Sequence, residues 1–296
     1  MTRQFDLLVC DLDNTLYDWV GAFVPAFTAM VDEAVALVGC DRDALLDDLR
    51  AVHRRHHDSE HPFALLETAT VQAAFPARSR AERHAALDPA FLAFNRARKA
   101  KLALYPGVEA GLQRLEGEGV RLVAHTESKT LGAVGRLQKL GIADAFARLY
   151  CRESLAVGHP DPTRALDPVA DFGESRIREL SKHQRKPDPT VLREICSAEG
   201  VSVERTAYVG DSIARDIAMA REVGVFAIWA EYGTHVSPAL YDVLVRVSHW
   251  TEEDVAREKA LKAAAARIRP DVTAEDFDAV VAAVLAEART LKSAMG

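Results

Sequence analysis

Cysteine is scarce and poorly spaced for cross-linking. Four occur in 296 residues, at Cys10, Cys40, Cys151 and Cys196, and none belongs to a C-x-x-C pair. That argues against a disulfide framework and against a cysteine-ligated zinc site, and leaves these thiols as small core residues of a reducing compartment. Long apolar runs are missing as well. No stretch approaches the roughly eighteen residues a membrane helix needs, so no membrane partner is expected. The opening "MTRQFDLLVC" is too short in its apolar run, and too soon acidic, for a secretory signal. Nor is there an excess of positive charge: Lys and Arg total 37 against 44 for Asp and Glu, a formal net charge of -7. Non-specific nucleic-acid binding is therefore not expected. These absences together point to a soluble cytoplasmic protein.

About half the residues are hydrophobic, enough for a substantial core. Five short runs rich in Val, Leu, Ile and aromatics read as strands buried on both faces: "FDLLVC" (5–10), "VRLVAHT" (120–126), "RLYC" (148–151), "TAYVGD" (206–211) and "VFAIWA" (225–230). Helical patterns lie between the later ones, such as "TLGAVGRLQKLG" and "SIARDIAMAREVG", each ending in a Gly suited to a helix C-terminus. This alternation predicts an α/β fold, a doubly wound parallel (Rossmann-like) sheet that binds ligands at the carboxyl ends of its strands. Residues 17–103 break the rhythm. Phe23, Phe27, Met30, Val31, Ala34, Leu37 and Val38 fall at helical spacing, and no strand candidate follows before "YPGV" (105–108). The expected organisation is an α/β core of residues 1–16 and 104–250, an all-helical insert of 17–103 and a helical extension of 251–296. The insert would lie over the carboxyl edge of the sheet. Residues 158–175, with three prolines, read as a long loop.

Charged residues gather at the predicted strand ends. In "DLDNTLYD", Asp11 closes the first strand and Asp13 follows two residues on, so both side chains can reach one point. Two carboxylates with different neighbours can divide the roles of nucleophile and proton carrier; Asp is also a good turn former, and the pair alone fits either reading. "YVGDSIARD" puts Asp211 at another strand end and Asp216 in the following helix's first turn, where it could equally complement the helix dipole. Three carboxylates on one edge need a cation, and an all-oxygen set without His or Cys suits Mg2+. Thr126 ends a third strand, where a hydroxyl and the following N–H groups can meet an anion. Lys186, held extended by Pro187, can neutralise both an aspartate and a phosphate oxygen.

With "DLDNTL" (11–16), the strand ending in Thr126, Lys186 before Pro187 and "GDSIARD" (210–216) in that order, the chain resembles the haloacid dehalogenase superfamily over residues 1–16 and roughly 104–235. The resemblance implies that the helical insert is a cap in the first insertion position. It implies that Asp11 attacks phosphorus to form an aspartyl-phosphate, and that Asp13 protonates the leaving oxygen and then activates water. Thr126 and Lys186 would hold the phosphoryl oxygens. Asp11, the Asp13 carbonyl and Asp211 would ligate Mg2+, with Asp216 supporting from behind. Asp13 favours phosphate over halide substrates, since a halide leaves without an acid. The implied enzyme is a phosphoric monoester hydrolase for a small phosphorylated metabolite of nucleotide or sugar phosphate type. A phosphosugar mutase and a non-catalytic protein-binding scaffold are the alternatives.

One position departs from the pattern. Glu127 falls in the phosphate-binding set with Thr126 and Lys186, where the family often has Asn. A carboxylate there is unfavourable unless it points away or meets a cation. His125 reads as a packed residue. The His/Arg cluster "HRRHHDSEH" (53–61) reads as a solvated helix end, or as a receptor for a second anionic group of the substrate.

Overall fold

The computed structural model describes residues 5–154, 157–161 and 169–286. Residues 162–168 of the Pro-rich stretch lie outside them, as does the end of the tail beyond 286. Among the described residues, seven parallel strands form one sheet: β1 (Leu7–Cys10), β2 (Arg121–Lys129), β3 (Arg148–Arg152), β4 (Ile177–Leu180), β5 (Thr206–Gly210), β6 (Phe226–Ala230) and β7 (Val272–Ala274), in spatial order β4-β3-β2-β1-β5-β6-β7. The two-residue period of a strand explains the near-continuous apolar runs. In β1, Leu8 and Cys10 enter the core on one face with Leu122, Ala124, Ala207 and Val209. Leu7 and Val9 enter the core on the other with Val123 and Tyr208.

Five helices make up the insert after β1: α1 (Trp19–Val38), α2 (Arg42–His56), α3 (Ala69–Ala74), α4 (Arg80–Ala86) and α5 (Asp88–Lys101). Their apolar faces close on a core of their own, with Phe23, Phe27, Val31, Leu45, Leu49 and Leu65 at its centre. Entry and exit lie side by side: Tyr17 bridges Leu104, and the Tyr105 N–H donates to the Leu16 carbonyl at 3.0 Å. Contrary to the expectation from sequence, α1 is long and apolar enough to cross a membrane. Its hydrophobicity is accounted for by packing, because nine of its twenty residues are buried among the neighbouring helices.

Among the described residues, the remaining helices are α6 (Val108–Gly117), α7 (Thr130–Lys139), α8 (Val169–Phe172), α9 (Pro189–Glu199), α10 (Ala218–Val223), α11 (Pro238–Val247), α12 (Glu252–Ala264) and α13 (Phe277–Leu285). Three features depart from the sequence reading. β4 was not foreseen, because "IREL" is short, half of it is charged, and only Leu180 is buried. The tail is not purely helical: Val272–Ala274 pairs with β6, and Phe277, Val280 and Val284 of α13 complete the core beneath the sheet. And α11, placed by sequence in the α/β part, joins the insert's core through Val247, with Leu240, Val243 and Leu244 against it.

Residues 246–250 add polar ties to the insert. The Val247 carbonyl lies 2.7 Å from His53 Nδ1, and Arg54 Nε donates to the Trp250 carbonyl at 3.3 Å. His249 Nδ1 lies 2.9 Å from the Ser59 hydroxyl. Burial pushes the His249 imidazole pKa down to about 4. The unfolded chain takes up this proton near pH 6.5 and the folded chain only near 4. Stability is therefore whole above that window and is lost as pH falls through it. The urea midpoint should drop between pH 6.5 and 5 by an amount worth about 1 kcal/mol. His249→Gln should remove that increment, and an identical pH slope in the variant would refute the assignment.

Candidate active site

The β1 pairings align Cys10 with Ala124 of β2 on one side and with Val209 of β5 on the other. Asp11, one residue further, and Thr126 and Asp211, two residues further, emerge at the carboxyl edge. The chain then turns sharply: Asn14 adopts a left-handed conformation (φ 59°), and its side-chain oxygen accepts from the N–H groups of Trp19 and Val20 at the start of α1. Gly233, in the turn after β6, packs against this loop so closely that a Cβ would lie 1.6 Å from the Asn14 carbonyl oxygen. Gly233→Ala must therefore displace the loop that carries Asp11 and Asp13. A loss of about 1–3 kcal/mol in thermal unfolding is expected, with weakened catalysis; a wild-type melting curve would overturn this.

Lys186 is the centre of charge. Its Nζ donates to Asp11 Oδ1 at 2.5 Å and to Asp216 Oδ1 at 2.8 Å, and it is almost fully buried. Burial opposes its positive charge, but the two carboxylates prevail and hold its pKa well above the usual lysine range. Asp216 uses both oxygens, since Tyr208 Oη donates to Oδ1 (3.0 Å) and the Ser212 N–H to Oδ2 (3.1 Å). A π-turn, Ile213–Ile217, brings it back under Gly210, where a Cβ would meet the Asp216 carboxylate. Asp11 Oδ2 accepts from Thr15 Oγ1 at 2.8 Å. Burial raises the Asp11 pKa to about 7 despite Lys186, and Asp211 is pushed up by burial and by Asp11 and Asp216. Asp11, Asp211 and Asp216 each place an oxygen within 4.8 Å of the others. Such a cluster either holds protons or holds a cation, and its all-oxygen donors fit a hard divalent ion.

Asp13 sits on the other side of the site. Its Oδ2 accepts from Ser128 Oγ at 2.5 Å and lies 3.5 Å from Thr126 Oγ1. The register of β2 on β3 shifts between His125 and Lys129. This irregularity re-aims the Thr126–Ser128 segment. Arg136 of α7, missed from sequence, joins the group. It is buried at 4% exposure, lies 3.3 Å from Asp13 Oδ1, and donates to Ser128 Oγ (2.6 Å), Tyr17 Oη (3.0 Å) and both Glu60 oxygens (2.8 and 2.7 Å). The available signal was an arginine on the same face as Ala133, Val134 and Leu137, where an apolar residue belongs.

Glu127, expected beside Thr126 and Lys186 in the phosphate-binding set, follows Thr126 at the end of β2. Its carboxylate turns to Arg215 Nη1 at 2.9 Å and Arg185 Nε at 3.6 Å. Those arginines are shared in turn with Glu258 and Asp254 of α12. The charge is thus met inside the protein and needs no cationic substrate group. His125 is buried beside Tyr208 and held neutral by burial and by the Lys186 charge. In the 53–61 cluster, Arg54 and Arg55 are engaged with Trp250 and Glu67. Glu60 and Asp58 instead reach across to Arg136 and Lys129.

Residues 5–173, more than half of the chain, match the family model described as haloacid dehalogenase-like hydrolase, and residues 183–280 match a second HAD-hydrolase-like model. The chain belongs to the haloacid dehalogenase-like hydrolases. Among relatives in this superfamily, the plasmid phosphoglycolate phosphatase of Cupriavidus necator is 30% identical over 131 residues, 44% of this chain and 45% of that one. The phosphoglycolate phosphatase of Agrobacterium fabrum is 26% identical over 231 residues, 77% of this chain and 81% of that one. The chain spans about half the length of the first relatives it matches, 45% and, for the Rhodospirillum rubrum phosphoglycolate phosphatase, 53%. The 2-haloacid dehalogenase structure from Pseudomonas syringae superposes with a TM-score of 0.54 at 20% identity, covering 95% of this chain and all of that one. That likeness establishes the shared haloacid dehalogenase-like fold.

Proposed function

We propose that the protein is a Mg2+-dependent phosphatase of a small phosphorylated metabolite, working through an aspartyl-phosphate on Asp11. The observation that carries the reading is Lys186, buried between Asp11 and Asp216 on the same edge that gathers Asp13, Thr126 and Asp211. Phosphoryl transfer needs little covalent chemistry from the protein beyond a nucleophile; in-line positioning and charge neutralisation do most of the rest. Asp11 offers an oxygen fixed by Thr15, and Lys186 offsets the charge of both the nucleophile and an incoming phosphoryl oxygen. Thr126 and the N–H groups after it would hold the other oxygens. Asp13, separate from the Lys186 cluster and hydrogen-bonded to Ser128, would give its proton to the leaving oxygen and take one back from water.

Asp11, the Asp13 carbonyl and Asp211 would hold Mg2+, which supplies positive charge against the phosphate. Asp216 has both oxygens in use and would act through Lys186. Residues 17–103 would serve as the cap: Asp58 and Glu60 reach Lys129 and Arg136, and His61, Lys129 and Leu131 are among the lining of a cleft at this junction. A roof of this kind restricts access to small molecules and excludes water. The names of the relatives make phosphoglycolate the first substrate to try.

The test is hydrolysis of an aryl phosphate and of phosphoglycolate with Mg2+ or with EDTA. Activity should require Mg2+, and Asp13→Asn should cost on the order of a hundred- to ten-thousand-fold in turnover. Undiminished rates in EDTA would remove the metal from the proposal. Slow loss of the phosphoryl group from Asp11, accelerated by a sugar bisphosphate, would identify a mutase instead.

A further inference from the structure

We propose that His56, His61 and Glu67 form a binding site for a zinc-type transition-metal ion in the helical insert, separate from the aspartate cluster. His56 ends α2, and the chain reverses at His57 in a left-handed conformation (φ 48°). That reversal returns His61 to lie face to face on His56, with ring centroids 3.5 Å apart and planes within 5° of parallel. The two rings address different oxygens of one carboxylate: His56 Nε2 lies 2.8 Å from Glu67 Oε2, and His61 Nε2 lies 2.9 Å from Oε1. All three donor atoms fall within 4.8 Å of one another.

Two imidazole nitrogens and a carboxylate oxygen are the donor set of many zinc sites with an open fourth position, whereas Mg2+ prefers oxygen alone. Ligand bonds of about 2.0–2.1 Å at tetrahedral angles set donors about 3.3 Å apart. The present nitrogen–oxygen contacts would therefore spread by roughly half an ångström to admit an ion. His61 is nearly buried, and burial lowers its pKa, so the neutral imidazole is favoured; with its proton on Nδ1 the ring would present Nε2 to the ion. Glu67 is kept ionised with a pKa of about 2, because the two histidine contacts outweigh its burial.

Glu67 has one further partner. Arg55 Nη2 donates to Oε2 at 2.8 Å, from a side chain that is 58% exposed and free to turn outward. The segment between the histidines carries Asp58 and Glu60, which bridge to Lys129 and Arg136 of the α/β core. An ion on His56 and His61 would fix that segment.

The test uses the full-length protein, stripped with a chelator and returned to excess Mg2+ so that the aspartate cluster is occupied, then titrated with Zn2+. One tightly held zinc equivalent is expected in wild type and in Asp211→Asn. His61→Gln and Glu67→Gln should weaken it on the order of a hundredfold or more. X-ray absorption of the zinc-loaded wild type should show imidazole ligands, a readout that stands even if a variant fails to fold. No retained zinc in wild type, binding unaltered by His61→Gln, binding lost only in Asp211→Asn, or zinc without imidazole ligands would each overturn the proposal.

Discussion

Asp11→Asn is expected to reduce aryl phosphate hydrolysis to background, a loss on the order of ten-thousandfold or more. The substitution preserves shape and leaves the Thr15 contact possible, but an amide cannot form the acyl-phosphate on which the proposed route depends. Folding should survive it. Lys186 keeps Asp216 as partner, and one of three crowded carboxylates loses its charge. Burial and those neighbours already raise the Asp11 pKa to about 7, so removing this charge relieves repulsion instead of breaking a favourable network. A melting temperature equal to or above wild type, together with absent turnover, is the combined expectation. Wild-type-like turnover in the purified variant would sink the nucleophile assignment and, with it, the phosphatase reading. An equally inactive but unfolded variant would show instead that the Lys186–Asp11 pair is structural.

The distance between sequence and structure differs from one part of this molecule to another. Strands β1, β2, β3, β5 and β6 were legible because each is buried on both faces and so reads as an unbroken apolar run. β4 and β7 are edge strands, one half charged and the other three residues long, and edges need little apolar character to pair. Asp11, Thr126 and Asp211 were expected together because a parallel sheet exposes its strand ends at one edge; Lys186, in the segment between β4 and α9, and Asp216, in the π-turn after β5, are brought in by the connections. The partners that orient them were not legible. Ser128, Tyr208 and Glu60 carry no spacing that announces a contact, and their pairing with Asp13, Asp216 and Arg136 comes from tertiary packing. Glu127 shows the limit most clearly. From sequence it conflicted with a phosphate, and only the approach of Arg215 and of Arg185 in the segment before Pro187 resolves the conflict. The Arg136 signal was available, a charge on an apolar stripe, but its target could not be named without the fold.

Arg136 therefore carries the second large expectation. Its guanidinium fork serves Tyr17, Ser128 and Glu60 at once and lies against Asp13, an arrangement that a single ammonium cannot reproduce. Removing one member of a buried ion pair costs about 3–5 kcal/mol when the remaining charge is fully buried. Here the Asp13 and Glu60 side chains are 21% and 26% exposed, so water can compensate in part. Arg136→Leu is accordingly expected to lose about 2–3 kcal/mol in urea unfolding, even though Leu suits the stripe formed by Ala133, Val134 and Leu137. Arg136→Lys should fall between the two. The catalytic consequence follows from the same geometry: Asp13 and Ser128 lose a shared anchor, and Glu60 loses its partner across the junction with the insert. Turnover in Arg136→Leu should drop on the order of ten- to a hundredfold, measured at a temperature where the variant is folded. If stability falls while turnover per folded molecule is unchanged, Arg136 holds the insert and has no hand in orienting Asp13; if neither changes, the contacts described for it contribute nothing.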